Sequence, residues 1–65
     1  MNLEQFYNTK VKIIAENGRL FEGTVNDYIE PEDNENNEES IIIDTKEGTA
    51  VEFYEKDIQT IEIIE

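Results

Sequence analysis

The chain contains no cysteine and no histidine. Disulfide bridges and the common thiolate or imidazole metal sites are therefore excluded, and so are catalytic sites built on a histidine base or a cysteine nucleophile. Ser40 is the single serine, so no serine–histidine pair can form either. Carboxylates are plentiful, but none lies in a sequence context that would remove it from water. We expect no catalytic role and no cofactor.

Basic residues and long apolar runs are also scarce. Five Lys and Arg against 17 Asp and Glu give a formal net charge of -12, which repels nucleic-acid backbones and anionic lipid surfaces. Duplex DNA is therefore not expected as a partner. The sequence has no run of about 18 apolar residues and no basic start followed by an apolar stretch, so we expect a cytoplasmic protein without a membrane segment.

The length of 65 residues predicts a single domain, residues 1–65, with one thin hydrophobic core. Small domains offset a thin core with disulfides, a structural metal or self-association. Because the first two are excluded in their common forms, we expect a homo-oligomer.

Period-two apolar patterns predict five β-strands after a short helix over residues 2–8, with Asn2 as its N-cap. The turn pairs Asn17-Gly18 and Glu47-Gly48 each predict a hairpin, since Asn-Gly between strands is a strong hairpin signal. Gly23 lies on the inward face of the second strand, together with Phe21, Val25 and Ile29, and predicts a sharp bend there. The strands are predicted at residues 10–16, 20–29, 40–46, 49–55 and 58–64.

This order of elements indicates an all-β fold: a five-stranded bent Sm-like or SH3-like barrel over residues 10–64, preceded by the short helix. The five-stranded oligonucleotide-binding barrel is the alternative. That fold places a helix between its third and fourth strands, and Glu47-Gly48 leaves no room for one.

The last two strands carry the residues that we expect at an oligomer interface. Strand edges are usually covered or paired, and apolar residues on both faces of a strand favour contact with a second subunit. Ile14, Ile42, Tyr54 and Ile64 are such residues in the phase opposite to the core. The predicted interface comprises Val51, Phe53, Tyr54, Ile58, Ile61 and Ile63.

An acidic loop over residues 30–39 is the most distinctive segment. It is either a solvated connection or a surface that recognises a basic protein. A calcium hand is not expected, because Glu38 stands where the turn glycine would be required. Its acidic residues are Glu30, Glu32, Asp33, Glu35, Glu38 and Glu39.

The chain resembles the Sm and Sm-like (LSm) family over nearly its whole length. In that family a helix precedes a hydrophobic strand, a turn with glycine and a bent strand with another glycine. The matching segments here are Val11-Lys12-Ile13-Ile14, Asn17-Gly18-Arg19 and Leu20-Phe21-Glu22-Gly23-Thr24-Val25-Asn26-Asp27-Tyr28. The resemblance implies a ring in which the fourth strand of one copy pairs with the fifth strand of the next.

The family's second motif has a basic-Gly step before a pair of isoleucines. This chain keeps the spacing of Ile58 and Ile61 but lacks that step, and the acidic loop replaces an expected asparagine. We therefore expect an Sm-like binding and assembly module, with RNA binding not favoured. If RNA is bound, the resemblance implies a pocket at Asp27, Tyr28 and Lys56. The alternative is an acidic mimic of nucleic acid that blocks a basic groove on a partner protein.

Overall fold

The computed structural model describes residues 1–64. Five β-strands and three short 3-10 helices make up most of this range. In chain order they are the N-terminal 3-10 helix Leu3–Phe6, β1 Lys10–Ala15, β2 Leu20–Ile29, the loop 3-10 helix Pro31–Asp33, β3 Ser40–Thr45, β4 Ala50–Tyr54, the connecting 3-10 helix Glu55–Asp57 and β5 Ile58–Ile63. The predicted all-β class is confirmed, and each of the five predicted strands is present within one residue of its predicted bounds.

The strands form one antiparallel sheet in the order β4-β3-β2-β1-β5. β4 and β5 are its two edges, and within residues 1–64 they do not pair with each other. The backbone N–H of Glu16 donates to the carbonyl of Asp57 at 2.9 Å, which ties the connecting helix to the first hairpin. The sheet is not closed, so the barrel expected over residues 10–64 stays a prediction.

Two hairpin turns share one geometry. Gly18 and Gly48 have φ of +86° and +89°, a conformation that glycine adopts without strain. The N–H of Gly18 donates to the carbonyl of Ala15 at 2.9 Å, and the N–H of Gly48 donates to Thr45 at the same distance. Each turn is a three-residue loop ending on a left-handed glycine, which is a common way to reverse a hairpin. The two predicted hairpins are confirmed.

Gly23 allows β2 and β3 to approach closely. A Cβ atom at this position would collide with the carbonyl oxygen of Asp44 on β3. Gly23 is buried and pairs with Val11 on one side and Thr45 on the other, at the centre of the sheet. The sequence therefore needs glycine here for backbone approach, in agreement with its predicted inward position.

A bulge at Asn26 changes the inward face of β2. The pairing with β3 shifts between Val25 and Asp27, so Tyr28 lies opposite the buried Ile41. Tyr28 packs against the core, and Ile29 is half-buried at the end of the strand. The prediction that Ile29 continues the inward set of Val25 was wrong, because a bulge adds one residue and reverses the phase after it.

The core lies on one face of the sheet. β1 buries alternate residues, as its pattern predicts, and the N-terminal helix covers one end with Leu3 and Phe6. Burying a side chain such as Ile13 stabilises the fold by about 2 to 3 kcal/mol. The core residues are Leu3, Phe6, Val11, Ile13, Ala15, Val25, Ile41, Ile43, Phe53 and Ile58.

The N-terminal helix is shorter than predicted. It is a single 3-10 turn over Leu3–Phe6, capped by the Asn2 Oδ1 atom, which accepts from the Glu4 N–H at 3.1 Å. Asn8 adopts φ of +67° and its N–H donates to the carbonyl of Val25, so the chain turns into β1 before a second helical turn forms. The predicted helix over residues 2–8 is corrected accordingly, while its predicted cap is confirmed.

Candidate functional site

The two edge strands differ in how well their core-facing side chains are covered. On β5, Ile63 lies opposite the fully buried Val11 and therefore faces the core side of the sheet, yet 51% of it is exposed. Ile61, in the same phase, is half-buried. On β4 the inward residue Val51 is half-buried too. Within residues 1–64, apolar surface on the core side thus continues to both edges and is only partly covered there.

The predicted interface residues fall into three groups. Phe53 and Ile58 are 4% and 5% exposed in the protomer's own core, so their side chains are not available to a partner and only their backbones lie at an edge. Val51, Tyr54 and Ile61 are half-buried. Ile63 is largely exposed. The side chains that could meet a second copy are therefore a subset of the predicted six.

Residues in the outward phase are partly covered. Ile14, Ile42 and Tyr54 are half-buried, whereas 42% of Ile64 is exposed. Leu20, which pairs with Ile14 across the first hairpin, is 57% exposed. The most exposed apolar residues of the strands thus lie toward β5 and the start of β2.

The three residues of the predicted RNA pocket contact other groups. Asp27 accepts through Oδ1 from the Tyr28 N–H at 2.9 Å. Burial raises the pKa of the Tyr28 phenol, and so do the charge of Glu39 and the hydrogen bond that the phenol donates to it. Lys56 pairs with Glu38 at 3.7 Å. Tyr28 and Lys56 thus each contact an acid of the loop, where a phosphate would meet negative charge.

The acidic loop has two structurally different parts. Its outer part, with Glu30, Glu32, Asp33 and Glu35, is exposed and includes the loop 3-10 helix. The pKa of Glu30 is raised by a hydrogen bond with Glu32, then by the charge of Glu32 and of other nearby acids. Carboxylates are therefore crowded in this part of the loop.

The inner part of the loop is bound to the rest of the fold. Glu39 accepts through Oε1 from the Leu3 N–H at 2.8 Å, which satisfies an otherwise free donor at the start of the N-terminal helix. Asn34 donates to the Glu38 carbonyl at 2.7 Å and to the Ser40 Oγ at 3.0 Å. Glu39 is therefore tied to the N-terminal helix, and Asn34 is bound within the loop and to the start of β3.

An open groove of about 610 Å³ lies between the tips of the two hairpins. Phe21, Thr49 and Val51 are among its lining residues. Arg19 and Lys46 contribute positive charge, and Glu22 and Glu47 contribute negative charge. The Arg19 guanidinium carbon lies 5.0 Å from the centre of the Phe21 ring, and Phe21 meets Phe53 edge to face at 5.0 Å. The sequence pattern did not predict this groove, because its walls come from two separate turns.

The cations differ in whether an acid accompanies them. Lys12 pairs with Glu62 at 3.4 Å and Lys56 pairs with Glu38. Arg19 and Lys46 form no ion pair with any group in residues 1–64. Arg19 and Lys46 line the same groove, together with the acids Glu22 and Glu47.

Two further kinds of feature are absent from residues 1–64. No helix in this range has the length and apolar character needed to cross a membrane. No group of three or more Asp or Glu in this range is arranged to hold a metal ion. Comparisons with protein-family models, curated proteins and solved structures find no match to this chain.

Proposed function

We propose that this protein is an Sm-like binding and assembly module whose copies join into a homo-oligomeric ring by pairing β4 of one copy with β5 of the next. The observation that carries the proposal is the exposure of Ile63. This side chain faces the core side of an edge strand and is 51% exposed. An added strand from another copy would extend the core over it.

The strand order supports the same arrangement. The order β4-β3-β2-β1-β5 leaves the fourth and fifth strands at opposite edges, each with unpaired backbone groups along one side. Pairing of unlike edges is a head-to-tail contact, and such contacts generate rings when the rotation closes. The close approach at Gly23 and the three-residue connection at Glu55–Asp57 fit the bent barrel of the Sm-like fold.

The proposal gives the protein no catalytic role and places it in the cytoplasm. RNA is not the favoured ligand, because Glu38 and Glu39 contact Lys56 and Tyr28 and because each copy carries a net charge of -12. The same charge opposes self-association at low salt, because repulsion between exposed charges is largely screened only beyond about 10 Å at 0.1 M salt and beyond longer distances at lower salt. We expect the assembly to tighten as salt rises.

Light scattering on the intact chain and two matched variants tests this function. Ile63→Asp places a charge on the exposed inward residue of β5, and Tyr7→Asp places the same charge on a residue of similar exposure, 49%, outside the sheet. We expect particles of several subunits for the wild type and for Tyr7→Asp, and a monomer for Ile63→Asp. A monomeric wild type at high micromolar concentration would contradict the proposal.

The exposed part of the acidic loop favours a second candidate, an acidic mimic of nucleic acid. The hydrogen bond with Glu32 and the charge of nearby acids raise the pKa of Glu30, which indicates a concentrated negative surface. Such a mimic would act as a monomer or dimer and would displace DNA from a basic protein groove in a salt-sensitive manner. Competition of the chain with fluorescent DNA for a basic nuclease, repeated with Glu30, Glu32, Asp33 and Glu35 changed to Gln, separates the two functions.

A further inference from the structure

A second, smaller pocket of about 300 Å³ lies between the first hairpin and the end of β4. Ala15, Phe21 and Phe53 give it apolar walls. Ala15 and Phe53 are buried in the core, and Phe21 packs against them, half-buried. The rings of Phe21 and Phe53 meet edge to face, with their centres 5.0 Å apart. Aromatic walls of this kind attract a cation as well as apolar atoms.

Within residues 1–64, every charged residue that lines this pocket is an acid, and the set comprises Glu16, Glu52 and Asp57. The remaining lining residue, Asn17, is neutral. Two nearby cations have other positions: Arg19 lines the groove between the hairpin tips, and Lys56 pairs with Glu38 at 3.7 Å. The charge of the pocket therefore selects a basic occupant, whereas the walls of the groove carry charges of both signs.

Two of the three carboxylates are held in place through one oxygen each. Glu52 accepts from the Ser40 Oγ through Oε2 at 2.8 Å, and Asp57 accepts from the Tyr54 N–H through Oδ2 at 3.0 Å. A guanidinium binds best to both oxygens of one carboxylate, whereas an ammonium donates singly to separate oxygens. The second oxygens of these carboxylates therefore suit the ammonium of a lysine, and its four-carbon stem suits the apolar walls.

We propose that this pocket is a docking site for a lysine side chain from an extended basic segment of a partner protein. The stem of the lysine packs against Ala15 and the two phenylalanine rings, and its ammonium meets the carboxylates. The net charge of -12 steers such a segment toward the chain. The inference goes beyond the proposed assembly, because one copy supplies the whole pocket, and it concerns a surface separate from the acidic loop over residues 30–39.

NMR of the nitrogen-15-labelled chain tests the site with a short peptide of glycine, serine and lysine. We expect the amide signals of Ala15, Phe21 and Phe53 to shift during the titration. A peptide with norleucine in place of lysine keeps the apolar stem without the charge and should shift none of them at the same concentration. Shifts confined to residues 30–39 would overturn the proposal, and tighter binding of an arginine peptide would contradict the selection of lysine.

Two acids in the hairpin turns provide a matched pair of variants. Glu16 and Glu47 are both exposed, but only Glu16 lines the pocket. Glu16→Gln and Glu47→Gln each remove one negative charge and leave the turn glycines unchanged. We expect Glu16→Gln to weaken binding of the lysine peptide about threefold relative to Glu47→Gln, because it removes a partner of the ammonium. Equal affinities of the two variants would show that this contact is wrong.

The aromatic wall is tested with Phe21→Leu, which removes the ring and keeps an apolar side chain at this half-buried position. We expect the lysine peptide to bind about threefold more weakly, because the attraction between the ring and the ammonium is lost. Circular dichroism should show that the variant is folded. An unchanged affinity in a folded variant would contradict the role of the ring.

The outcomes separate this docking site from the proposed assembly. A second copy paired along β4 would lie close to the pocket, so the titration is repeated with Ile63→Asp, the variant that we expect to be monomeric. If the lysine peptide shifts the pocket signals in a wild type that never assembles, the docking site stands and the assembly fails. If the peptide shifts them in neither protein, the docking site is wrong whether or not the wild type assembles.

Discussion

The two edges of the sheet are built differently. β4 ends against the core through Phe53, which is 4% exposed and contacts the Phe21 ring, so its far end is fixed within the protomer. β5 buries Ile58 at its start, is half-covered at Ile61, and leaves Ile63 at 51% exposure. The core-side residues of β5 therefore become more exposed from Ile58 to Ile63. One edge offers a groove and the other a projecting apolar end, which favours a contact between unlike edges.

The largest expected effect comes from breaking the covered edge. Phe53→Ala removes a buried ring and should lower the free energy of unfolding by about 3 to 5 kcal/mol. Ile63→Ala removes an exposed side chain and should cost less than about 1 kcal/mol in the monomer. Urea denaturation of dilute protein measures both, and equal losses would contradict the difference in cover.

A smaller effect should follow the gradient along β5. Ile58→Ala should cost about 2 to 4 kcal/mol, because that side chain is 5% exposed, while Ile61→Ala should cost about half as much. The effect on self-association should have the opposite order. Ile61→Ala should weaken self-association more than Ile58→Ala does, and by more than its own loss of stability explains. The urea midpoint and the sedimentation profile of each variant provide the two measurements. A larger cost at Ile61 than at Ile58 would show that the gradient is wrong.

The interaction between Tyr28 and Glu39 lies off both edge strands. Removing it should lower the free energy of unfolding without changing self-association. Tyr28→Phe removes the phenol oxygen that interacts with Glu39 and should lower the free energy of unfolding by less than about 1 kcal/mol, because solvent screens this partly exposed pair. Because burial and Glu39 raise the pKa of Tyr28 in the folded state, its contribution is present below the ordinary pKa of 10.0 and is lost as pH rises through the folded value. As pH rises above 10.0, the free energy of unfolding of the wild type should fall. The part of that fall that comes from Tyr28 should be absent from Tyr28→Phe.

The smallest expected effect comes from the exposed part of the acidic loop. The raised pKa of Glu30 means that the folded state binds its proton more tightly than the unfolded state. Stability should therefore rise slightly as pH falls from 7 through this raised value toward the ordinary 4.5. Thermal midpoints of the wild type and of Glu30→Gln, measured across this pH range, isolate this contribution. It should disappear in the variant, and self-association through the edge strands should be the same in both proteins.

Strand positions and hairpins could be predicted from the sequence because their signals are local. Alternation in β1 and the pairs Asn17-Gly18 and Glu47-Gly48 act over a few residues, and the strand bounds agree to within one residue. The bulge at Asn26 was missed because no residue type specifies a bulge in that position. As a result, Ile29 was predicted on the core side of the sheet, where Tyr28 lies instead.

The candidate site was less predictable because its contacts join distant segments. Leu3 and Glu39 are 36 residues apart, and no periodic pattern links them. The groove depends in the same way on two turns meeting in space. The interface prediction was made from strand edges and apolar phase, which cannot separate Phe53 in the core from Ile63 at the edge. Two residues on the same side of a sheet differ in exposure according to how close each lies to the end of its edge strand, which the sequence pattern does not show.

Cross-linking between copies tests the proposed edge pairing most directly. The chain has no cysteine, so Ala50→Cys and Glu62→Cys introduce the only thiols, on opposite edges of one protomer. Paired strands bring opposing Cα atoms within the distance that a disulfide can span. Mild oxidation of Ala50→Cys with Glu62→Cys should yield covalent multimers that reduction reverses. A monomeric product, or an equal yield from Ala50→Cys with Gln5→Cys, would contradict the account.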